Sequence, residues 1–161
     1  LDTLRWLTGS DVESVYSVSR EGVLKSLGVD TVDMYLTTLE FKNGCIAQME
    51  NGWITPNGNT NVNDMKCSIL GTKGQISIDT SSHNVIQKVT DERATTPDIL
   101  VNHYVDGAPK GFAYESIRHF VDRLIDGRKF SVSLEDAANT SLAILAIFES
   151  AKQRKPIEVK Y

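Results

Sequence analysis

The residues best suited to bind a small polar molecule lie in one asparagine-rich segment that begins with a tryptophan. Residues 53–64 read WITPNGNTNVND. Asparagine side chains can hydrogen-bond hydroxyl groups while an indole face packs against a sugar ring, so the segment is suited to a polyol site. A solvated loop whose asparagines satisfy turns is the alternative from the residues alone. The candidates for substrate contact are Trp53, Asn61, Asn63 and Asp64.

Tyr114 is a further candidate for substrate contact. It lies at the start of the first long predicted helix, beside a segment rich in glycine and proline. Its phenol can donate a hydrogen bond to a hydroxyl group. An equally good interpretation is that the side chain caps the helix onto the sheet.

The sequence holds no motif for binding a nucleotide or a metal. Neither G-x-G-x-x-G nor G-x-x-x-x-G-K-[ST] occurs, and the glycine-containing turn at residues 71–74 lacks the following helix that a phosphate site requires. His83, His103 and His119 have no partner at metal-ligand spacing, and no serine stands in G-x-S-x-G. We therefore expect no cofactor, no metal and no nucleophilic catalysis within these residues.

Composition argues against two classes of partner. The chain has 161 residues, of which 40% are hydrophobic, and can bury a core as a single domain over residues 1–161. Its net charge of −4 disfavours nucleic acid, and its apolar runs are shorter than the roughly 18 residues of a membrane span. Cys45 and Cys67 stand apart, which predicts buried thiols and a reducing, cytoplasmic location.

The first two thirds of the sequence predict strands. Leucines at positions 1, 4 and 7 before Gly9 indicate the end of an amphipathic helix, so we expect the chain to begin inside an element. The Asn43-Gly44 pair favours a type I′ hairpin. A meander of about six strands is predicted over residues 12–18, 31–41, 45–53, 65–70, 75–79 and 84–89, with one more possible over 99–105.

The last third predicts two helices and a final strand. Ile117, Phe120, Val121, Leu124 and Ile125 form a helical stripe that ends before a glycine. A capping-box-like start at residues 133–136 precedes a second, nearly buried helix over 137–151, and residues 157–161 suit a last strand. The expected fold class is α+β, with an open, mostly antiparallel β-sheet and helices packed on one face.

The other face of that sheet must be either solvated or covered by a partner. Its expected residues include more apolar groups than a solvated face needs, alternating with Asp33, Gln48 and Glu50. The apolar members are Met34, Leu36, Cys45, Ala47, Met49 and Trp53. The composition therefore favours a face that is covered by a partner.

Four segments in order resemble the Gfo/Idh/MocA oxidoreductases, a family named for glucose-fructose oxidoreductase and inositol dehydrogenase. LDTLRWLTG at residues 1–9 is similar to that family's H-x-x-D-x-x-R-W-L-x-G segment. Residues 39–44, residues 69–76, and residues 120–127 followed by 133–156 are similar to its C-terminal domain. The resemblance also implies that the open sheet face is a subunit interface, so we expect a homodimer or higher oligomer through it.

The resemblance places the chemistry outside this sequence. Members bind NAD(P) on an N-terminal Rossmann domain, which supplies a lysine, and carry an aspartate and often a histidine in D-x-G-x-H. Aligned on Asp2, that histidine would lie two positions before Leu1. The resemblance thus implies no catalytic residue in this chain, NAD(P) bound by the parent protein rather than by this chain, and no turnover by the chain alone.

Within the chain, the resemblance assigns supporting roles. Asp2 matches the acidic residue of H-x-x-D and is expected to orient the helix, with Arg5 paired to it at i+3. The segment 53–64 leads into the family's cleft, where some members have a Tyr-Asp pair and this chain has Asn63-Asp64.

The sequence therefore predicts the C-terminal, substrate-binding domain of an NAD(P)-dependent oxidoreductase that acts on a sugar, polyol or related hydroxy compound. Its partners would be its own Rossmann domain, a second copy and a small-molecule substrate. The alternative is a stand-alone, non-catalytic dimeric binding or scaffold domain of the same fold.

Overall fold

The computed structural model describes residues 1–57, 64–81 and 86–161. Contacts divide the chain into two compact units, the first formed by Leu1–Ile54 with Ser131–Tyr161 and the second by Thr55–Phe130. The first unit contains α1 (Asp2–Thr8), β1 (Val12–Arg20), α2 (Val23–Ser26), β2 (Met34–Phe41) and β3 (Ile46–Gly52), and then α4 (Leu134–Gln153) and β10 (Ile157–Glu158). The second contains β4 (Lys66–Gly71), β5 (Gly74–Asp79), β6 (Lys88–Val89), β7 (Ala94–Thr95), β8 (His103–Val105), β9 (Ala108–Lys110) and α3 (Phe112–Asp126).

An antiparallel sheet in the order β10-β1-β2-β3 forms the centre of the first unit. Its β2–β3 connection is the hairpin that Asn43-Gly44 predicts, but the turn type differs. The Gly44 amide donates to the Phe41 carbonyl at 2.8 Å, and Gly44 alone of the pair has a positive φ, of 83°. A type I′ turn requires positive φ at both central residues, so the predicted turn type is wrong. The strands are joined instead by a three-residue connection with glycine in the left-handed position.

Helix α4 covers one face of this sheet and forms the core with it. Val15 and Leu39 on the sheet pack with Ala143 and Ile147 on the helix, and all four are at most 3% exposed. At the far end of α4 the Ser150 hydroxyl accepts a hydrogen bond from the Ser17 amide at 2.8 Å, so this buried hydroxyl ties helix to strand. The predicted α+β class, with a mostly antiparallel open sheet and helices on one face, is confirmed.

Strand β3 shows which side chains the open face actually carries. Ala47 and Met49 pack against the core, because they pair with the buried Leu39 and Thr37. The prediction that these two residues lie on the open face is therefore wrong. Successive side chains of a strand point to opposite faces, so an offset of one residue in the assignment exchanges the two faces. Leu36 is 48% exposed on that face, and Tyr16, Val18 and Ile46 share its side of the sheet by register.

Three further predictions in the first unit need correction. Asp33 is fully buried rather than alternating along the open face, because its carboxylate accepts backbone hydrogen bonds. Helix α4 is not nearly buried, since Leu145 on its outer side is 60% exposed. The Cys45 thiol, expected to be buried, lies exposed beside the β2–β3 turn, and Cys67 in the second unit is half-buried.

The described part of the second unit contains three two-stranded hairpins and α3. The predicted six-stranded meander is therefore wrong for the described residues, since β4 and β5 pair with each other and not with the first sheet. Alternation along a strand shows that a strand forms but not which strand it pairs with. Only residues 103–105 of the possible strand at 99–105 are extended, and residues 82–85, including the start of the predicted strand at 84–89, lie outside the described residues.

Helix α3 begins and ends close to its predicted limits. Gly127 follows its last residue with φ 62°, the left-handed conformation that commonly ends a helix. No residue of α3 is fully buried within the described chain. In that same part of the chain, no helix is both long enough and apolar enough to cross a membrane.

The packing of the core predicts that truncating two leucine-sized side chains on α4 lowers the free energy of unfolding by different amounts. Ile147→Ala should lower the free energy of unfolding by about 2–4 kcal/mol, because Ile147 is 3% exposed and its removal leaves a cavity. Leu145→Ala is the matched control and should cost about 0.5 kcal/mol or less, since Leu145 is exposed. Urea unfolding followed by circular dichroism measures both, and equal midpoint shifts would contradict the packing of α4 described above.

Candidate functional site

Helix α1 places an arginine in the interior of the first unit. The helix is seven residues long and ends at Gly9, whose φ of 64° is left-handed. Leu1 and Leu4 pack against the core, while Trp6 is 78% exposed on the other side of the helix. Arg5 is only 7% exposed, so its charge must be satisfied by protein groups.

Five hydrogen bonds satisfy the five N–H donors of the Arg5 guanidinium. Nε and Nη2 donate to Asp11 Oδ1 at 3.1 and 2.5 Å, and Nη2 also donates to Asp136 Oδ1 at 2.8 Å. Nη1 donates to the Asp136 carbonyl at 3.0 Å and to Thr140 Oγ1 at 2.6 Å. We call Asp2, Arg5, Asp11, Asp136 and Thr140 the arginine cluster; it joins α1 to the first turn of α4.

The electrostatics of the arginine cluster keep Arg5 charged. Burial disfavours the charged form, but hydrogen bonds and charge from Asp11 and Asp136 outweigh it, so the pKa of Arg5 lies above its ordinary value. The predicted pairing with Asp2 is confirmed only as a long contact of 3.9 Å from Nη1 to Oδ1. Asp2 Oδ1 instead lies 3.2 Å from the Thr140 hydroxyl, which can donate to it.

Sequence reasoning missed the main partners of Arg5. Ser133 is the N-cap of α4 as predicted, since its hydroxyl accepts from the Asp136 amide at 3.0 Å. The Asp136 carboxylate, however, turns to Arg5 rather than completing a capping box. No local spacing signals a contact between positions 5 and 136, which are 131 residues apart.

Trp53 directly follows β3 in the first unit. Its amide donates to the Asp33 carbonyl at 3.0 Å, and its side chain is 77% exposed. Gly52 beside it has no room for a side chain, because a Cβ there would lie 2.8 Å from the Asp33 carbonyl oxygen. The backbone at Trp53 is thus held closely while the indole remains accessible.

Asp33 is the residue that holds this end of the sheet together. Its carboxylate accepts from the Val23 amide at 2.9 Å and from the Leu24 amide at 2.8 Å, which caps α2 from about ten residues away. The Leu24 hydrogen bond is the largest cause of a pKa below the ordinary aspartate value. The Asp33 carboxylate therefore remains an anion that caps α2, while the carbonyl of the same residue holds the backbone of Trp53.

The other predicted contact residues belong to the second unit or lie outside the described residues. Asp64 is exposed and its Oδ1 lies 3.3 Å from Lys66 Nζ. Tyr114 is half-buried in the first turn of α3. Asn61 and Asn63 lie outside the described residues.

The start of α3 uses its amide groups within the protein. The Phe112 amide donates to the Leu100 carbonyl at 2.8 Å, and the Ala113 amide donates to the Val101 carbonyl at 3.2 Å. Asp98 organises that loop by accepting amide hydrogen bonds from residues 100, 101 and 102. This helix terminus is therefore joined to a loop and does not offer these two amides to a phosphate.

The structure brings Asp2 and Arg5 into one cluster and leaves the grouping of the remaining candidates as a prediction. Trp53 belongs to the first unit, whereas Asp64 and Tyr114 belong to the second. Within the described ranges, no group of three or more His, Cys, Asp or Glu residues is arranged to hold a metal ion.

Together, the helix-covered open sheet and the buried charge cluster describe an α+β domain. Residues 1–159 match the family model described as "Oxidoreductase family, C-terminal alpha/beta domain". The chain belongs to this family, the Gfo/Idh/MocA oxidoreductases, as their C-terminal domain.

Solved structures support the same fold. The chain is similar to GenD2 from gentamicin A biosynthesis, solved in complex with NAD (TM-score 0.75, 20% identity, 99% of the chain covered). It is also similar to myo-inositol 2-dehydrogenase from Lactobacillus plantarum (0.71, 19%, 99%) and to scyllo-inositol dehydrogenase from Lactobacillus casei, solved with NAD(H) and scyllo-inositol (0.69, 18%, 98%). The chain spans 45% of each of these three proteins. No curated protein sequence matches it.

The burial of the Arg5 guanidinium predicts that replacing each of the two cations near Asp11 lowers the free energy of unfolding by very different amounts. Arg5→Met should lower the free energy of unfolding by about 3–5 kcal/mol, because it leaves the Asp11 and Asp136 carboxylates without their shared counter-charge. Lys42→Met is the control: Lys42 Nζ lies 4.0 Å from Asp11 and is largely exposed, so the cost should be about 1 kcal/mol or less. Urea unfolding of both variants at neutral pH makes the comparison, and similar losses would show that Arg5 is not the required counter-charge.

Proposed function

We propose that this chain is the substrate-binding and oligomerisation domain of an NAD(P)-dependent oxidoreductase that acts on a sugar, polyol or related hydroxy compound. The observation that carries the proposal is the match of residues 1–159 to the C-terminal domain of an oxidoreductase family. The chain spans 45% of its structural relatives, which supports an additional N-terminal Rossmann domain in the parent protein. The names of those relatives, which include two inositol dehydrogenases, support a polyhydroxylated substrate.

The division of labour in the parent follows from the chemistry of alcohol oxidation. When bound to the Rossmann domain, the nicotinamide cofactor supplies the hydride acceptor. The hydroxyl proton must leave to a base, and we place that base upstream of Leu1, where the resemblance of residues 1–9 puts the family's histidine. The role of this chain is then to bind and orient the substrate, and the chain by itself should not turn over.

Trp53 is the side chain best prepared for that role. Its backbone is held to Asp33 while its ring is 77% exposed, so the ring can pack against the apolar face of a sugar without a costly rearrangement. Asp64 can accept hydrogen bonds from substrate hydroxyls, and Asn61, Asn63 and Tyr114 complete the proposed set of contacts.

The open sheet face supports assembly with a second copy. Leu36 and its neighbours on this side present apolar groups that α4, on the other face, cannot cover. Exposed apolar groups on one sheet face, here interspersed with polar residues such as Gln48 and Glu50, favour a protein partner over solvent. Two-fold pairing of the same face is the simplest arrangement for a homo-oligomer.

The substrate role predicts different effects at two equally exposed tryptophans. In the parent polypeptide, Trp53→Ala should raise KM for myo-inositol by roughly 5- to 10-fold, because it removes an aromatic contact with the sugar ring. Trp6→Ala is the control, since Trp6 is 78% exposed, and should leave KM unchanged. Steady-state NAD⁺ reduction measures both. Equal effects would remove Trp53 from the site, and a native polypeptide no longer than this chain would favour the stand-alone scaffold domain instead.

The proposed interface predicts a change of mass in solution. Leu36→Lys places a charge on the open face opposite Glu50 and should convert a dimer into a monomer. Leu145→Lys, an equally drastic change on the exposed side of α4, should leave the dimer intact. Light scattering at tens of micromolar decides between them, and a monomeric wild-type chain would count against this interface.

A further inference from the structure

The arginine cluster is more elaborate than stability requires. Removing a guanidinium and two carboxylates from water is costly, and well-packed apolar residues often replace such groups without loss of stability. Arg5 nevertheless satisfies all of its donors with partners from two distant parts of the sequence. The arrangement fixes the relative positions of these groups, because a planar guanidinium can donate its hydrogen bonds in only a few orientations.

The position of α1 is fixed from two directions. Leu1 and Leu4 pack against the core, while Arg5 is held between Asp11, just after the helix, and Asp136 on α4. Asp136 is itself fixed in place because its amide bonds to the Ser133 hydroxyl. The helix can therefore neither rotate nor slide without breaking charged hydrogen bonds.

Thr140 extends this control to the first turn of α1. Its hydroxyl oxygen accepts from Arg5 Nη1 at 2.6 Å and lies 3.2 Å from Asp2 Oδ1, to which it can donate. One residue of α4 thus contacts two successive turns on the same side of α1. The contact at Asp2 lies at the end of the helix that faces the preceding part of the polypeptide.

We propose that Asp136 and Thr140 are positioning residues for hydride transfer: through Arg5 and Asp2 they set the rotation and height of α1, and so place the catalytic residues that precede it. The inference rests on the proposed function, in which those residues lie upstream of Leu1. A displacement of about 1 Å at a reacting group lowers a rate by as much as 100-fold. A hydrogen-bond cluster away from the reacting groups can therefore affect the rate by fixing their position.

The test uses the parent polypeptide, with myo-inositol and NAD⁺ as probes. Thr140→Val removes the hydroxyl while keeping the side-chain shape, and Asp136→Asn removes the charge while keeping an acceptor oxygen. Both should lower kcat by about 10-fold or more, with KM and the NAD⁺ dissociation constant changed by about twofold at most. Thr140→Ser, which keeps the hydroxyl, should restore kcat to near the wild-type value.

Neighbouring residues on α4 supply matched controls. Ser141→Ala removes a hydroxyl that bonds to the Ala137 carbonyl within the helix, and Glu135→Gln removes an exposed first-turn charge beside Asp136. Both should retain wild-type kcat, since neither side chain belongs to the arginine cluster.

Three results would overturn the positioning role. If Thr140→Val and Ser141→Ala have the same kcat while the wild type is active, the cluster only stabilises the fold and the proposed function stands. If kcat falls together with NAD⁺ affinity and the thermal midpoint, the variants lose activity because their fold is destabilised. A wild-type parent that neither binds NAD⁺ nor oxidises myo-inositol would overturn the proposed function, and the positioning role with it.

Discussion

The need to satisfy one buried guanidinium organises the first unit. Arg5 enters the interior because Leu1 and Leu4, which precede it, pack against the core and turn that side of α1 inward. Once buried, it requires a carboxylate from the loop that follows α1 and another from the first turn of α4. The beginning of the described chain and its last long helix are joined by this requirement. Because α4 also contributes Ala143, Ala146 and Ile147 to the hydrophobic core, the charge cluster and the core share one element.

The core itself explains how α4 stays in register with the sheet. Small residues such as Ala143 let the helix approach β1 closely, and Ile147 fills the space between helix and sheet. Ser150, one turn further, is buried yet satisfied: it accepts from the Ser17 amide and donates to the Lys155 carbonyl at 2.7 Å. Apolar contact supplies attraction in this interface, whereas the hydroxyl and the arginine cluster restrict sliding of the helix.

Asp33 performs a comparable task at the end of the sheet where Trp53 emerges. A buried carboxylate accepts two amide hydrogen bonds from α2, and the carbonyl of the same residue accepts one from Trp53. An exposed aromatic ring on a fixed backbone suits recognition better than one on a free loop, because less conformational entropy is lost on binding. The proposed substrate role of Trp53 therefore has a structural basis within a single unit.

Local pattern was enough to predict α1, α3 and α4, the position of the hairpin at Asn43-Gly44, the Ser133 cap and the fold class, because periodicity, capping and turn preference act over a few residues. The four-residue α2 was not predicted. The segments resembling the oxidoreductase family were also readable from the sequence, and the family match bears them out. Pairing of β4 with β5, the burial of Asp33, the inward side of β3 and the partners of Arg5 were decided only in three dimensions. Each depends on which distant segments meet, and a contact between positions 5 and 136 leaves no mark on the spacing of residues along the chain.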